Sequence, residues 1–243
     1  KAIAFGALLL VAGHGMMALE GRPATETLTY AGTAYEIAAE GRGADREVSI
    51  VVDGQNYSFG AGEGGGIAIA GLPEGSALPS TLEPNSYQMI QTRDLGGINI
   101  FYLALSLIIM GVGFLKPNIS SIVGQLYPDG DPRRDSGFTL YYYGINLGAF
   151  WAAVLCGYLG QTVGWWAGFG LAGVGMAAGW IVFVLGKPLL QGNGEPPNPE
   201  LLKRPLIGPI NREWLIYILA ILGVGVVWFM VQRNALVGKV LLA

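Results

Sequence analysis

The sequence predicts an all-α membrane protein that carries a small β-rich insertion, and three observations predict it. Of 243 residues, 52% are hydrophobic and 13% charged, with a mean hydropathy of +0.47, which is too apolar for an ordinary soluble domain. Apolar runs recur between polar, Gly/Pro-rich breaks, and about 20 apolar residues suffice to span a bilayer. Residues 20–97 abandon that pattern for charged, glycine-rich sequence with short alternating runs.

Residues 1–19, with "AIAFGALLLVAGHGMMAL", read as a first transmembrane helix interrupted only by His14. In a glycine-rich helix that histidine reads as hydrogen-bonded to a neighbour rather than as a proton relay. Residues 20–97 read as a β-rich insertion. Within it "VSIVVDGQNYSF" places Asp53 and Gly54 between two alternating runs, the signal of a two-residue type I′ hairpin. Residues 98–127, 137–160 and 165–186 read as three further transmembrane helices, the last two joined by a tight turn at "QTVG". A Pro-rich linker at 187–213 leads to an extra membrane helix at 214–231, and 232–243 start another apolar run. The chain begins at Lys1, without methionine and directly in an apolar segment, and ends in "ALVGKVLLA". It therefore reads as an internal piece, with the remainder of the same chain as a partner.

Lysine and arginine counts in short loops set orientation. Arg133 and Arg134 lie between the second and third apolar segments, and Lys187, Lys203, Arg204 and Arg212 lie in the linker. Both regions are expected to be cytoplasmic. By alternation 20–97 is extracytoplasmic, and its four arginines against eleven carboxylates, a net charge of −7, agree. Arg233 and Lys239 would break the rule if 214–231 spans fully.

The overall net charge of −3, without a basic cluster, does not suggest a nucleic-acid partner, and none is expected. One cysteine, Cys156, cannot form an intrachain disulfide. No residue pattern suggests a metal cage, a nucleophile with its base, or a phosphate loop. "GAGEGGG" at 60–66 is glycine-rich but precedes no helix. The chain is therefore not read as an enzyme, and no catalytic residue, metal or cofactor is expected.

The residues that demand an explanation lie in "GVGFLKPNISSIVGQLYP". Lys116 stands well inside an apolar run, and a lysine at a bilayer centre costs about 2.5 to 3.5 kcal/mol on insertion scales. Snorkelling to the cytoplasmic surface is the bland account. Pro117 weighs against it, because its ring and missing N–H kink the helix there, and Asn118, Ser120 and Ser121 add polar groups. Together they read as the lining of a polar cavity. In the next helix Asn146 is either interhelical glue, a reading favoured by Gly144 and Gly148, or a ligand contact. "PDGDPRRDSG" reads by itself as a solvated loop with weak ion pairs.

Residues 111–150, "GVGFLKPNISSIVGQLYPDGDPRRDSGFTLYYYGINLGAF", resemble the signature region of the proton-dependent oligopeptide transporter family of the major facilitator superfamily. The resemblance rests on Lys116-Pro117-Asn118, on the run Arg133 to Phe138, and on Tyr142, Asn146 and Gly148. It extends over about 160 residues in four membrane helices and one extra helix, and leaves 20–97 uncovered. Tyr141 stands where the family usually has phenylalanine.

The resemblance implies a major facilitator fold, here a partial N-terminal bundle plus a linker helix. It implies proton-driven symport of di- and tripeptides by alternating access in the cytoplasmic membrane. Lys116, Asn146 and Tyr142 would bind substrate. Lys116, Arg133, Arg134 and Asp135 would serve proton coupling and gating, with protons as the coupling ion and the lipid bilayer as a partner. Two alternatives stand beside it: a family member carrying another small solute, such as an amino acid or an anion, and a membrane-anchored extracytoplasmic β binding module.

Overall fold

The structure is a computed structural model, and it describes residues 1–19, 21, 24–41, 46–196, 198–234 and 238. The further apolar run expected at 232–243 falls mostly outside the described residues. The chain divides into two compact units, residues 21–98 and the remainder.

The unit at 21–98 is an antiparallel sheet of seven strands: β1 (Thr25–Tyr30), β2 (Thr33–Glu40), β3 (Glu47–Val52), β4 (Gln55–Ala61), β5 (Ile67–Ile69), β6 (Thr81–Leu82) and β7 (Tyr87–Thr92). Their order in the sheet is β6-β5-β4-β3-β2-β1-β7. The first six strands form a meander, and β7 returns to pair with β1 at the far edge. The expected hairpin is present: Val52 pairs with Gln55, and Asp53 and Gly54 take φ of +51° and +79°, as a type I′ turn requires. Alternation buries one face. Leu28, Ile50 and Leu78 are almost fully enclosed, with Ile37, Val52, Ile69 and Leu82 around them. Full burial of each such aliphatic side chain stabilises by roughly 1.5 to 3 kcal/mol. The ends of the unit meet: a methyl added to Gly21 would lie 2.8 Å from Gly97 Cα.

The helical unit contains α1 (Ala2–Met17), α2 (Leu95–Gln125, whose first turn belongs to the sheet unit), α3 (Arg134–Thr162), α4 (Trp165–Gly186), the short α5 (Pro199–Lys203) and α6 (Arg212–Gln232). A small hairpin, β8 (Pro205–Ile207) with β9 (Ile210–Asn211), precedes α6, whose first turn is capped where the Trp214 amide donates to Asn211 Oδ1 at 2.9 Å. Among the described residues four helices are long and apolar enough to cross a membrane: α2, α3, α4 with the 3₁₀ turn that follows it, and α6. As described, α1 has 16 residues, about 24 Å at 1.5 Å per residue.

Lipid supplies no hydrophobic drive between helices, so small residues that admit close backbone approach decide the packing. α1 uses them on two sides. A Cβ on Gly6 would lie 2.7 Å from the Gly111 carbonyl oxygen, and one on Gly13 would lie 2.9 Å from that of Ala104, so α1 and α2 meet backbone to backbone. Toward α4, Gly15 approaches Gly173, and Trp180 Nε1 donates to the Ala4 carbonyl at 3.0 Å. α3 packs on α4, where Gly168 lies against the Cys156 carbonyl and Trp165 covers Gly160. α6 joins through Phe5 and Tyr217, whose ring centroids are 4.8 Å apart. His14 is held within its own helix, Nδ1 donating to the Leu10 carbonyl at 2.8 Å.

Candidate functional site

α2 continues through Pro117 as one helix of 31 residues. Three polar side chains behind the proline turn onto the helix's own carbonyls. Asn118 Nδ2 donates to Phe114 O at 2.7 Å, Ser120 Oγ to Lys116 O at 3.3 Å, and Ser121 Oγ to Pro117 O at 3.0 Å. Such bonds four residues back supply donors beside a turn where the proline cannot donate.

Lys116 is exposed on α2. Among the described residues no carboxylate lies in ion-pair range of its ammonium, although five other cations form ion pairs. Lys116 stands six residues past the midpoint of Leu95–Gln125, about 9 Å along the axis. For a helix centred in a core about 30 Å thick, that lies inside the hydrocarbon.

Tyr142 and Asn146 share one face of α3, four residues apart, and both are exposed. Asn146 Nδ2 donates to the Tyr142 carbonyl at 2.8 Å, leaving its second N–H and its Oδ1 available. No hydrogen bond or ion pair joins Lys116 to either residue among the described residues. Nearly the whole middle of α3, from Tyr142 to Leu155, is exposed.

The turn between α2 and α3 carries two exposed ion pairs, as its charges suggested. Arg133 grips Asp131 with two nitrogens, Nε at 3.1 Å and Nη2 at 2.8 Å, and its backbone amide donates to the same carboxylate at 2.8 Å. The Arg133 hydrogen bonds hold the Asp131 carboxyl down at about 2, the response expected of a carboxylate met by N–H donors and a cation. Arg134 pairs with Asp129 at 2.9 Å and lies against Gly124 together with Phe138. The Tyr127 ring packs on Gly137. Asp135 stands in the first turn of α3, where a carboxylate favours the helix dipole. It forms no ion pair among the described residues. Sequence reasoning named both arginines and Asp135 but not Asp129 and Asp131, the carboxylates they hold.

A cleft of about 490 Å³ opens between the start of α1, the last turns of α2, where Asn118 and Ser121 line it, the end of α4, the linker and the start of α6. Its rim carries the ion pairs Lys1–Glu213 at 2.8 Å and Lys187–Glu195 at 2.7 Å. Lys187 lowers the Glu195 carboxyl. The Gly194 amide donates to Gln125 Oε1 at 2.7 Å, tying the linker to the end of α2. Lys116 and Asn146 do not line this cleft.

Several long apolar helices, packed through glycine, mark a multi-pass membrane protein. The chain belongs to the POT family, whose sequence model matches residues 1–202. It is 52% identical over 110 residues to the uncharacterized transporter YclF of Bacillus subtilis (strain 168), covering 44% of this chain and 22% of that protein. To the di-/tripeptide transporter of Lactobacillus helveticus it is 40% identical over 130 residues, 49% of this chain and 26% of that protein. Among solved structures it resembles a variant of the peptide transporter POT in complex with alafosfalin. That match has a TM-score of 0.50 and 28% identity over 96% of this chain and 31% of the other. The chain thus spans about a quarter of the length of these curated relatives.

Proposed function

We propose that the whole protein is a proton-coupled symporter of di- and tripeptides, working by alternating access in the cytoplasmic membrane, and that this chain supplies part of its N-terminal bundle. The observation that carries the proposal is Lys116, an ammonium inside the apolar length of α2 with no carboxylate partner among the described residues. A peptide is a zwitterion. Its carboxylate would meet Lys116 in a charge-assisted pair, while Asn146 Oδ1 would accept from its amino group and the Tyr142 hydroxyl would contact its backbone.

An ammonium that alternates between the substrate's carboxylate and one elsewhere in the protein provides the differential contacts that a two-state switch needs. Arg133 and Arg134, fastened to Asp131 and Asp129, would brace the turn as the helices tilt, leaving Asp135 to exchange partners during gating. Protons are the coupling ion in this reading, with no cofactor and no catalytic chemistry. In this reading the 20–97 insertion lies outside, which the basic loops at 133–134 and 187–212 and the alternation of the spans support. The named relative that transports di- and tripeptides supports the substrate class.

The test is uptake of a labelled dipeptide by the whole protein in liposomes under an inward proton gradient. Gradient-driven uptake is expected, and Lys116→Ala should reduce it to the level of empty liposomes while the protein remains folded and inserted. Uptake that ignores the gradient would overturn the symport reading. Unchanged driven uptake in Lys116→Ala would return the residue to snorkelling.

A further inference from the structure

The segment that follows α4 is built as a closed loop. Gln191, Gly192 and Gly194 take positive φ, at +50°, +88° and +79°, and the turns they make satisfy the loop's own backbone. The Gln191 amide donates to the Pro188 carbonyl at 3.2 Å, that of Asn193 to Leu190 at 2.8 Å, and that of Glu195 to Gly192 at 3.3 Å. Asn193 Nδ2 adds a second bond to the Leu190 carbonyl at 2.9 Å. The Lys187–Glu195 pair joins the two ends of the loop directly past α4. Its tip rests on a different helix. Gly194 donates its amide to Gln125 Oε1 at 2.7 Å, and a Cβ there would lie 2.5 Å from Ile122 Cδ1 and 2.6 Å from Cγ1. An isoleucine in a helix is held to one χ1 rotamer, so Ile122 does not readily swing Cγ1 away.

We propose that residues 187–196 are a clasp, hung from α4 and closed on the last turns of α2, which holds the two helix ends at the spacing seen here and opens when α2 tilts. The proposal rests on the alternating-access reading above, in which α2 carries Lys116. Gln125 stands nine residues past Lys116 in the same continuous helix, about 14 Å along the axis. A tilt of α2 that displaces one therefore displaces the other.

The surroundings of the clasp suit it to release. The cleft of about 490 Å³ lies beside it, lined by Ile122 and Gln125 of α2, Phe183 and Val184 of α4, and Gly194 of the loop. The ends of α2 and α4 thus stand on two sides of a void that the loop bridges. Close-packed side chains resist displacement, whereas α2 has room on this side to move without expelling any. A bridge across a void concentrates the cost of movement in its own few contacts, here the Gly194 hydrogen bond and its seat against Ile122. That favours two discrete arrangements over gradual deformation.

The experiment uses the whole protein with its native cysteines replaced, in lipid nanodiscs without substrate or gradient. Spin labels go on Leu126→Cys, just past α2, and Leu185→Cys on α4, positions 43% and 74% exposed. Gly194→Ala and Gly192→Ala both place a side chain at positive φ, but a Cβ on Gly192 meets nothing within 4 Å. Relative to Gly192→Ala, Gly194→Ala should lower the population at the inter-label distance of this structure by at least about five-fold, the shift that the low end of overpacking produces. Adding Ile122→Ala to Gly194→Ala removes both crowded atoms and should restore that population, and Gln125→Ala alone should reduce it. Identical distributions for Gly194→Ala and Gly192→Ala, no rescue by Ile122→Ala, or a single distance shared by every variant would overturn the clasp. Dipeptide uptake under a proton gradient is read separately. Its absence from the unsubstituted protein would overturn the transport reading, while the distance comparison still decides the clasp.

Discussion

Gly111 offers a sharp test of how the helices are held together. A Cβ there would lie 2.7 Å from the Gly6 carbonyl oxygen, 2.8 Å from Leu10 Cγ and 3.1 Å from the Leu10 amide nitrogen. Two of those neighbours are backbone atoms of α1, so no rotamer change relieves the clash. Ordinary contact begins near 3.4 Å, and Gly111→Ala must therefore push α1 and α2 apart by about 0.7 Å at their crossing. Overpacking of this kind costs about 1 to 3 kcal/mol. Gly113, two residues on, meets nothing within 4 Å, and Gly113→Ala gains whatever helix propensity alanine brings, up to about 1 kcal/mol. Because both variants share that gain, their difference isolates the crossing. In mixed-micelle unfolding of the whole protein, Gly111→Ala should be less stable than Gly113→Ala by about 1 to 3 kcal/mol. Coincident unfolding curves would refute the backbone-to-backbone seam.

Two further predictions concern the turn and the insertion. The Asp131 carboxyl is depressed to about 2 by Arg133. Its contribution is therefore complete above the unfolded carboxylate range near about 4 and is lost as pH falls toward about 2. Hydrogen exchange of the 129–135 turn, corrected for intrinsic rates, should hold steady down to about pH 4 and accelerate below it. Asp131→Asn should exchange faster throughout, without that step; an identical pH profile in both would show that the Arg133 clamp does not order the turn. At Gly54, with φ +79°, a valine must enter the left-handed region at a cost of roughly 1 to 2 kcal/mol. Gly54→Val should speed tryptic cleavage at Arg46 relative to Gly60→Val, where a side chain meets open space; equal rates would remove the strain argument.

The features legible in the sequence were those fixed by local chemistry. Hydropathy alone marks α2, α3, α4 and α6 because a span must satisfy its backbone internally and be apolar throughout. The Asp53–Gly54 turn was legible because so few residue pairs tolerate two positive φ angles. The return of β7 to β1 was not, since it joins Tyr30 to Tyr87 across 56 intervening residues and no local pattern specifies that partner. Three aspartates and two arginines in one loop likewise left the pairing open, and only the path of the turn sets Asp131 on Arg133 and Asp129 on Arg134. The polar run after Pro117 was legible as an anomaly. That Asn118, Ser120 and Ser121 would donate to carbonyls one turn back depended on rotamers, which sequence does not carry.

The meeting of Gly21 and Gly97 gives the insertion the character of a parenthesis in the chain. Gly21 and Gly97 lie against each other near its two ends, so the stretch between them can be lengthened, exchanged or removed while α1 and α2 still see the equivalent of one short turn. Such a graft point relieves the β-sheet of any duty to the helices' geometry. The sheet can change its partners without disturbing how the spans are paired.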